Sequence, residues 1–137
     1  CIWAGNRCRD IWGPSAHNST FGGNPICASA ALAVLDVLHE ETLAEVRENG
    51  EYLKSGLEAL GLSSLGEPHG AGLVIGVSVL IDRDFEDLCS MHSDYGLLCL
   101  PAKEGLLFMP PLLITKGELN EGLSILKEEL GEGVSYP

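Results

Sequence analysis

The sequence is poor in basic residues: 8 lysines and arginines stand against 20 aspartates and glutamates, a formal net charge of −12. Such a surface repels phosphate backbones and anionic lipid headgroups, so we expect neither nucleic acid nor a membrane surface as a partner. The apolar run of about 18 residues that a transmembrane helix needs is also missing. No P-loop, dinucleotide-binding fingerprint or Gly-x-Ser-x-Gly motif occurs, which removes the common nucleotide-binding and hydrolase signatures.

The cysteines and histidines do not form the pattern of a metal site. The five cysteines are odd in number, and no Cys-x-x-Cys pair or Cys/His cluster with metal-ligand spacing occurs. We therefore expect no metal. Cys27 and Cys99 lie in apolar runs, which predicts that both are small core residues. Reduced thiols are typical of the cytoplasm, where we expect the protein to be located.

The length and composition indicate a folded chain. With 137 residues, of which 45% are hydrophobic and 20% charged, the chain is long enough to bury a core. Its first residues, "CIWAGNRCRD", contain no initiator methionine and no signal-peptide pattern. We expect the sequence to be part of a longer protein.

Two helices are predicted in the first half. Asn24 is a good N-cap and Pro25 suits the first helical position, so a helix is expected over "PICASAALAVLDVLHE", which is apolar nearly all round and typical of a buried helix. The capping box Thr42–Glu45 predicts the start of a second helix, which ends at Gly61. Gly50 falls inside that pattern and indicates an irregularity.

The second half alternates between strands and helices. The β-branched run at 72–81 predicts a strand, with Gly70 and Gly72 allowing a turn or bulge before it. A short helix closed by Gly96 is expected in 82–96, and "LLCLP" and "LLFMP" flank a turn and predict a hairpin. A capping box at Thr115 opens a last helix with one apolar face, formed by Leu119, Leu123, Leu126 and Leu130. The order predicts an α+β fold: a small, mainly antiparallel sheet of three or four strands covered by helices.

The stretch "HNSTFGGNP", His17 to Pro25, is the candidate functional loop. Ser19 and Thr20 offer hydroxyl donors, and the following helix directs its positive end toward the loop, which suits an anion. The alternative is a plain turn in which Ser19 or Thr20 caps the backbone, and residue types alone favour that alternative.

The segment "HNSTFGGNPICASAALAVLDVL" resembles the corresponding segment of class III aminotransferases, the acetylornithine, ornithine and 4-aminobutyrate group. The resemblance continues in order through "VRENGEYLKSGLEAL", "HGAGLVIGVSVL", "YGLLCLPA" and "LLFMPPLLITKGELNEGLSILKEEL". It matches the C-terminal third of that family. These are pyridoxal-phosphate enzymes of the aspartate-aminotransferase-like fold, so the resemblance implies that cofactor and amino-group transfer between amino acids or amines and oxo acids.

The resemblance also implies roles for individual residues. Thr20, with Ser19 beside it, falls on the family threonine that binds the cofactor phosphate of the neighbouring subunit, which implies a homodimer. Residues 1–39 would then be an interface loop and buried helix at the end of the large-domain region, and residues 40–137 the small C-terminal domain. Without the large domain, the helix after Pro25 would expose an apolar patch, and we expect self-association.

Two departures from the family pattern stand out. The Schiff-base lysine lies upstream of this loop in the family, and Lys54, Lys103, Lys116 and Lys127 do not match it, so we expect the isolated chain to be inactive. Leu107 occupies the position of the arginine that binds the substrate carboxylate, and His69 stands where the family often has arginine. A leucine cannot make that bidentate contact. The alternative to an aminotransferase portion is a stand-alone, non-catalytic dimerising or binding module derived from one.

Overall fold

The computed structural model describes residues 5–8, 11, 13, 18–80, 89, 95–103 and 105–131. The chain divides into two compact units, Cys1–Leu38 and His39–Pro137. The first contains a 3₁₀ turn, Asn6–Cys8, and helix α1, Pro25–Val37. The second contains α2 (Glu40–Ala59), β1 (His69–Ala71), β2 (Val74–Ser78), β3 (Leu100–Ala102), β4 (Gly105–Phe108) and α3 (Lys116–Leu130). None of the described helices is long and apolar enough to cross a membrane.

Helix α1 begins where the sequence predicts. The Asn24 side chain accepts hydrogen bonds from the backbone N–H groups of Ile26 (2.9 Å) and Cys27 (3.4 Å), and Pro25 takes the first helical position. The helix ends when the Leu38 N–H turns back to the Val34 and Leu35 carbonyls. No residue of α1 is buried. The prediction that Cys27 is a core residue is wrong, because Cys27 is exposed.

Helix α2 begins earlier than its sequence pattern predicts. Its first residue is Glu40 and its N-cap is His39, whose backbone is extended and whose side chain makes no capping hydrogen bond. The predicted capping box at Thr42–Glu45 is therefore wrong. Glu40 and Glu41 lie in the first turn, where carboxylates interact favourably with the positive end of the helix. The prediction of a glycine terminus is confirmed, since Gly61 has a φ of +63° just after the helix.

Gly50 marks a close approach rather than a break in α2. The helix runs through it without interruption, and Gly50 is buried. A Cβ atom at this position would lie 2.0 Å from the carbonyl oxygen of Gly72, in the turn between β1 and β2. Only glycine lets the helix backbone contact that turn, so a residue with low helix propensity is required here for packing.

The four strands form one antiparallel sheet in the order β1-β2-β4-β3. The predicted hairpin from "LLCLP" and "LLFMP" is confirmed as β3 and β4, with Leu100 opposite Leu107 and Ala102 opposite Gly105. The predicted strand 72–81 is shorter, Val74–Ser78, and it pairs with β1, which the sequence did not predict. The predicted α+β class, with a four-stranded antiparallel sheet and helices, is confirmed.

The hydrophobic core lies between one face of the sheet and helices α2 and α3. From the strands it takes Ile75, Val77, Leu106 and Phe108, all at most 5% exposed. From the helices it takes Leu53, Leu57, Leu119, Leu123, Leu126 and Leu130. The apolar face predicted for the last helix is therefore confirmed. The second unit builds its own core from both of its layers.

The start of α3 is fixed by the capping box that the sequence predicts. The Glu118 N–H donates to Thr115 Oγ1 at 3.2 Å, and the Thr115 N–H donates to Glu118 Oε2 at 2.8 Å. The two hydrogen bonds that Glu118 Oε2 accepts, from the Thr115 N–H and, at 2.7 Å, from the Thr115 hydroxyl, lower the pKa of this carboxyl group. The short helix predicted in 82–96 lies outside the described residues except at Cys89, Tyr95 and Gly96.

Candidate functional site

The loop in front of α1 is a tight turn at the protein surface. The Gly22 N–H donates to the Ser19 carbonyl at 3.0 Å, and the Asn24 N–H donates to the Phe21 carbonyl at 3.3 Å. Gly23 has a φ of +74°, a conformation that favours glycine and lets the chain turn directly into Asn24. The sequence Phe-Gly-Gly-Asn thus folds locally and places Ser19 and Thr20 just before the helix.

The two hydroxyls proposed for anion binding are exposed in this loop. Within the described part of the chain, neither the Ser19 nor the Thr20 hydroxyl makes a hydrogen bond, because Asn24 supplies the cap of α1. The alternative in which Ser19 or Thr20 caps the backbone therefore does not occur. Two hydroxyl groups beside the positive end of a thirteen-residue helix are suitable donors to a phosphate. His17 of the same stretch lies outside the described residues.

A second candidate surface is the face of the sheet opposite the core. One row of paired residues crosses all four strands: His69 opposite Gly76, Gly76 opposite Leu107, and Leu107 opposite Leu100. The His69 ring lies over Gly76, so that a Cβ there would be 2.9 Å from the imidazole Nε2. His69 and Leu107 are distant in the sequence. The pairing of β1 and β4 with β2 brings both of them beside Gly76.

Three residues of this row, His69, Gly76 and Leu107, line a cavity of about 440 Å³ on the outer sheet face. Its walls include His69, Gly76, Leu107, Ala102 and Lys103. Leu107 is half-buried and presents only hydrocarbon, whereas Lys103 and His69 are exposed. Among its described lining residues, the cavity therefore has hydrocarbon at Leu107 and carries Lys103 and His69 at its exposed rim.

Two lysines of the second unit form ion pairs at its surface. Lys116 hydrogen-bonds and ion-pairs with Glu48, which lowers the pKa of Glu48 and raises the pKa of Lys116. Lys54 pairs with Glu51 at 2.7 Å. Among the described residues, no group of three or more histidine, cysteine, aspartate or glutamate side chains is placed to hold a metal ion.

The comparisons with known proteins identify the family and agree with the fold. The family profile described as "Aminotransferase class-III" matches residues 1–130, and the chain belongs to this family. It is 39% identical over 129 residues to an ornithine aminotransferase of Staphylococcus carnosus, a match covering 93% of this chain and 32% of that protein. An ornithine aminotransferase of Bacillus subtilis is 36% identical over 132 residues, with 95% and 32% covered.

A solved structure shows the same similarity in three dimensions. The acetylornithine aminotransferase of Elizabethkingia anophelis superposes with a TM-score of 0.73 at 30% identity, covering 93% of this chain and 35% of that one. The chain thus spans about a third of the length of the relatives it matches. The resemblance to class III aminotransferases is confirmed, and the family implies pyridoxal phosphate as its cofactor.

Proposed function

We propose that this chain supplies the C-terminal portion of a pyridoxal-phosphate-dependent class III aminotransferase, which transfers an amino group from an amine or amino acid to an oxo acid. The observation that carries the proposal is the loop before α1. Its Ser19 and Thr20 hydroxyls are exposed and make no hydrogen bond to another described residue, in a chain that the family profile matches over residues 1–130.

The loop fits the phosphate of the cofactor but not its reactive end. Thr20, with Ser19 beside it, would donate hydrogen bonds to phosphate oxygens, and the positive end of α1 would stabilise their charge. When bound, pyridoxal phosphate supplies the electron sink for the chemistry at the amine carbon. The contribution of this chain is to bind and orient that phosphate.

The isolated chain is proposed to be inactive, since it offers no lysine suited to hold the cofactor covalently. All of its lysines belong to the second unit, and two of them, Lys54 and Lys116, are ion-paired with Glu51 and Glu48 on the surface. Lys103 lies in the exposed turn between β3 and β4, and Lys127 lies in the last turn of α3.

A homodimer completes the site in this proposal. Helix α1 has a single charged residue, Asp36, and exposes large apolar side chains, among them Ile26 at 79% and Leu35 at 62%. Exposed apolar area of this kind marks a protein interface. We assign α1 to the contact with a second copy of the protein, which brings the loop of one subunit to the cofactor of the other. We place this assembly in the cytoplasm.

We propose that the substrate of the whole protein is an amine or an amino acid. If the substrate carries a carboxylate, Leu107 does not bind that group. The family resemblance puts Leu107 at the position of the carboxylate-binding arginine, and a leucine side chain offers no donor. Lys103 and His69, at the rim of the cavity that Leu107 lines, are the cationic or titratable groups that this chain offers instead.

The second candidate function is a non-catalytic module derived from an aminotransferase, which dimerises or binds through α1. Leu107 and the absence of a suitable lysine favour it. The reading frame upstream of Cys1 distinguishes the two functions. A large domain carrying a lysine at a glycine-rich strand end supports the enzyme, whereas a start codon close to Cys1 supports the module.

The cofactor role is tested in the protein extended by its upstream reading frame. Thr20→Ala and Ser19→Ala are compared with Thr115→Ala, a threonine whose hydroxyl caps α3 and has no role in the loop. Removing a hydrogen bond to a charged group costs about 1.5–3 kcal/mol, so Thr20→Ala should raise the Kd for pyridoxal phosphate at least about tenfold. Equal Kd values for all variants, measured by absorbance titration, would overturn the proposal.

A further inference from the structure

Two cysteines of the second unit lie side by side. The Sγ atoms of Cys89 and Cys99 are 3.4 Å apart, and the Cys99 thiol donates a hydrogen bond to Cys89 Sγ. Both side chains are half-buried and pack against the hydrophobic core. Cys8 and Cys27, by contrast, are exposed and belong to the first unit.

We propose that Cys89 and Cys99 form a redox-active dithiol, which closes to an intramolecular disulfide when it reacts with a small-molecule disulfide. A disulfide bond is about 2.05 Å long, so the two sulfur atoms need to approach by little more than 1 Å. Rotation of the two Cα–Cβ bonds is the motion that provides this approach. The pair is therefore held near the geometry of the bond before it is oxidised.

The reaction balances as two successive thiol–disulfide exchanges. The Cys89 thiol loses its proton to solvent, and its sulfur attacks the external disulfide, which forms a mixed disulfide and releases one thiolate. The Cys99 sulfur, after losing its own proton, then attacks Cys89 Sγ and releases the second thiolate. The two thiolates take up the two protons. The protein is oxidised by two electrons, and the external disulfide is reduced to two thiols.

The environment of Cys99 assigns the order of these steps. Burial, and then the hydrogen bond and charge of Cys89, raise the pKa of the Cys99 thiol to about 12, so it is protonated at neutral pH. Because the thiolate is the nucleophile, Cys99 is the slower attacker and acts as the resolving thiol. Closure should therefore accelerate as the pH rises above 7.

The Cys89–Cys99 disulfide would restrain one edge of the sheet. Cys99 directly precedes Leu100, the first residue of β3, and among the described residues β3 is an edge strand that pairs with β4. Ala102 of this strand lines the cavity on the outer face. Oxidation thus fixes the strand at one wall of that cavity. A loop of this size closed by a disulfide should raise the Tm by about 10 °C.

The test uses the full chain with Cys1, Cys8 and Cys27 replaced by serine, so that only the pair can react. The variant is equilibrated with mixtures of oxidised and reduced glutathione under two conditions. It is folded in buffer in the first and unfolded in about 6 M guanidinium in the second. Free thiols are then blocked by alkylation. Trypsin cleaves after Arg83 and Lys103, so both cysteines fall in one peptide, and its mass reports the disulfide by the loss of two hydrogen atoms.

We expect the intramolecular disulfide to form at a ratio of oxidised to reduced glutathione at least about tenfold lower in the folded chain than in guanidinium, a difference of about 30 mV. A ratio equal in the two states would overturn the proposal, because the fold would then contribute nothing to pairing. Stable addition of glutathione to Cys89 without closure would also overturn it.

Single variants provide the second measurement. Cys99→Ser in the same background should retain glutathione on Cys89, since the resolving thiol is absent, and Cys89→Ser should react more slowly at pH 7. Equal rates of modification in the two variants would contradict the assigned order. If a serine variant does not fold, the comparison of the folded with the unfolded chain still tests whether the fold favours the Cys89–Cys99 disulfide.

Discussion

The two units of this chain differ in whether their apolar side chains are buried. In His39–Pro137, strands β2 and β4 alternate, so that Ile75, Val77, Leu106 and Phe108 face helices α2 and α3 and are buried. In Cys1–Leu38, helix α1 has an equally apolar sequence and no buried residue. The difference shows that composition alone does not indicate a core, because a core also needs a second layer to cover it.

The comparison also separates two kinds of functional residue. The loop of the first unit exposes hydroxyls with no partner in the described chain, as expected of a surface completed by another molecule. The second unit satisfies its polar groups internally: Tyr52 donates to Asn120 at 2.7 Å, Asn49 to the Ile114 carbonyl at 2.9 Å, and Ser64 to the Leu130 carbonyl at 3.3 Å. The polar groups of the second unit thus stabilise its fold, whereas a binding role for the loop of the first unit stays our proposal.

Truncation of a core leucine should give the largest effect on this comparison. Leu126 is 2% exposed, and Leu126→Ala should lower the free energy of unfolding by about 3 kcal/mol, through lost burial and a residual cavity. Leu35→Ala on α1 is the matched control and should change it by less than about 0.5 kcal/mol. Chemical denaturation measures both. Equal losses would mean that α1 belongs to the same cooperative core.

Filling the space at Gly50 should have the next largest effect. The Cβ of Gly50→Ala would meet the Gly72 carbonyl oxygen, so α2 and the β1–β2 turn must separate, at a cost of about 2 kcal/mol. Gly117→Ala, in the exposed first turn of α3, meets only Thr115 Oγ1 at 3.7 Å and should be neutral or stabilising by up to about 1 kcal/mol. A stabilised Gly50→Ala protein would contradict this packing.

Replacing one threonine in each unit should give a smaller difference in stability. Thr115→Ala removes the cap of α3 and should cost about 1 kcal/mol, whereas Thr20→Ala removes a hydroxyl that binds nothing within the described chain and should leave thermal stability unchanged. Thermal denaturation of the two variants checks this. A Thr20→Ala loss as large as that of Thr115→Ala would show that the loop hydroxyl is structural.

The last effect is absent near neutral pH and should appear only at high pH. The pKa of Cys99 is raised from 9.0 to about 12 in the folded chain, so the folded state holds this proton more tightly than the unfolded state does. The resulting stabilisation is complete below pH 9 and is lost as the pH rises toward 12. We expect Cys99→Ala to flatten this decline under reducing conditions, with exposed Cys27→Ala as the control. An identical decline in wild type and Cys99→Ala would contradict it.

Features set by neighbouring residues were predictable from the sequence. The cap of α1 at Asn24–Pro25 and the box at Thr115–Glu118 each involve residues at most four positions apart, and both form as predicted. The start of α2 was not predictable from side chains, because His39 caps the helix only through its backbone conformation. Strand β1 has three residues, one of them glycine, and its pairing with β2 defines it.

Features set by tertiary contact were not predictable. Gly50 weakens a helix by propensity, and its role becomes clear only from the Gly72 carbonyl on another element. Similarly, the sequence identifies His69 and Leu107 singly, but the four-strand register brings them to either side of Gly76. The roles of Ser19 and Thr20 stay a prediction, since they depend on a cofactor and a partner subunit.

The central claim is that α1 and its loop are an interface element, and amide hydrogen exchange across a protein concentration series tests it most directly. The account predicts that amides of β2 and β4 are strongly protected at every concentration, whereas protection of α1 rises with concentration as a second copy covers it. Protection of α1 that is independent of concentration, in a chain that sediments as a monomer at micromolar concentration, would contradict the account.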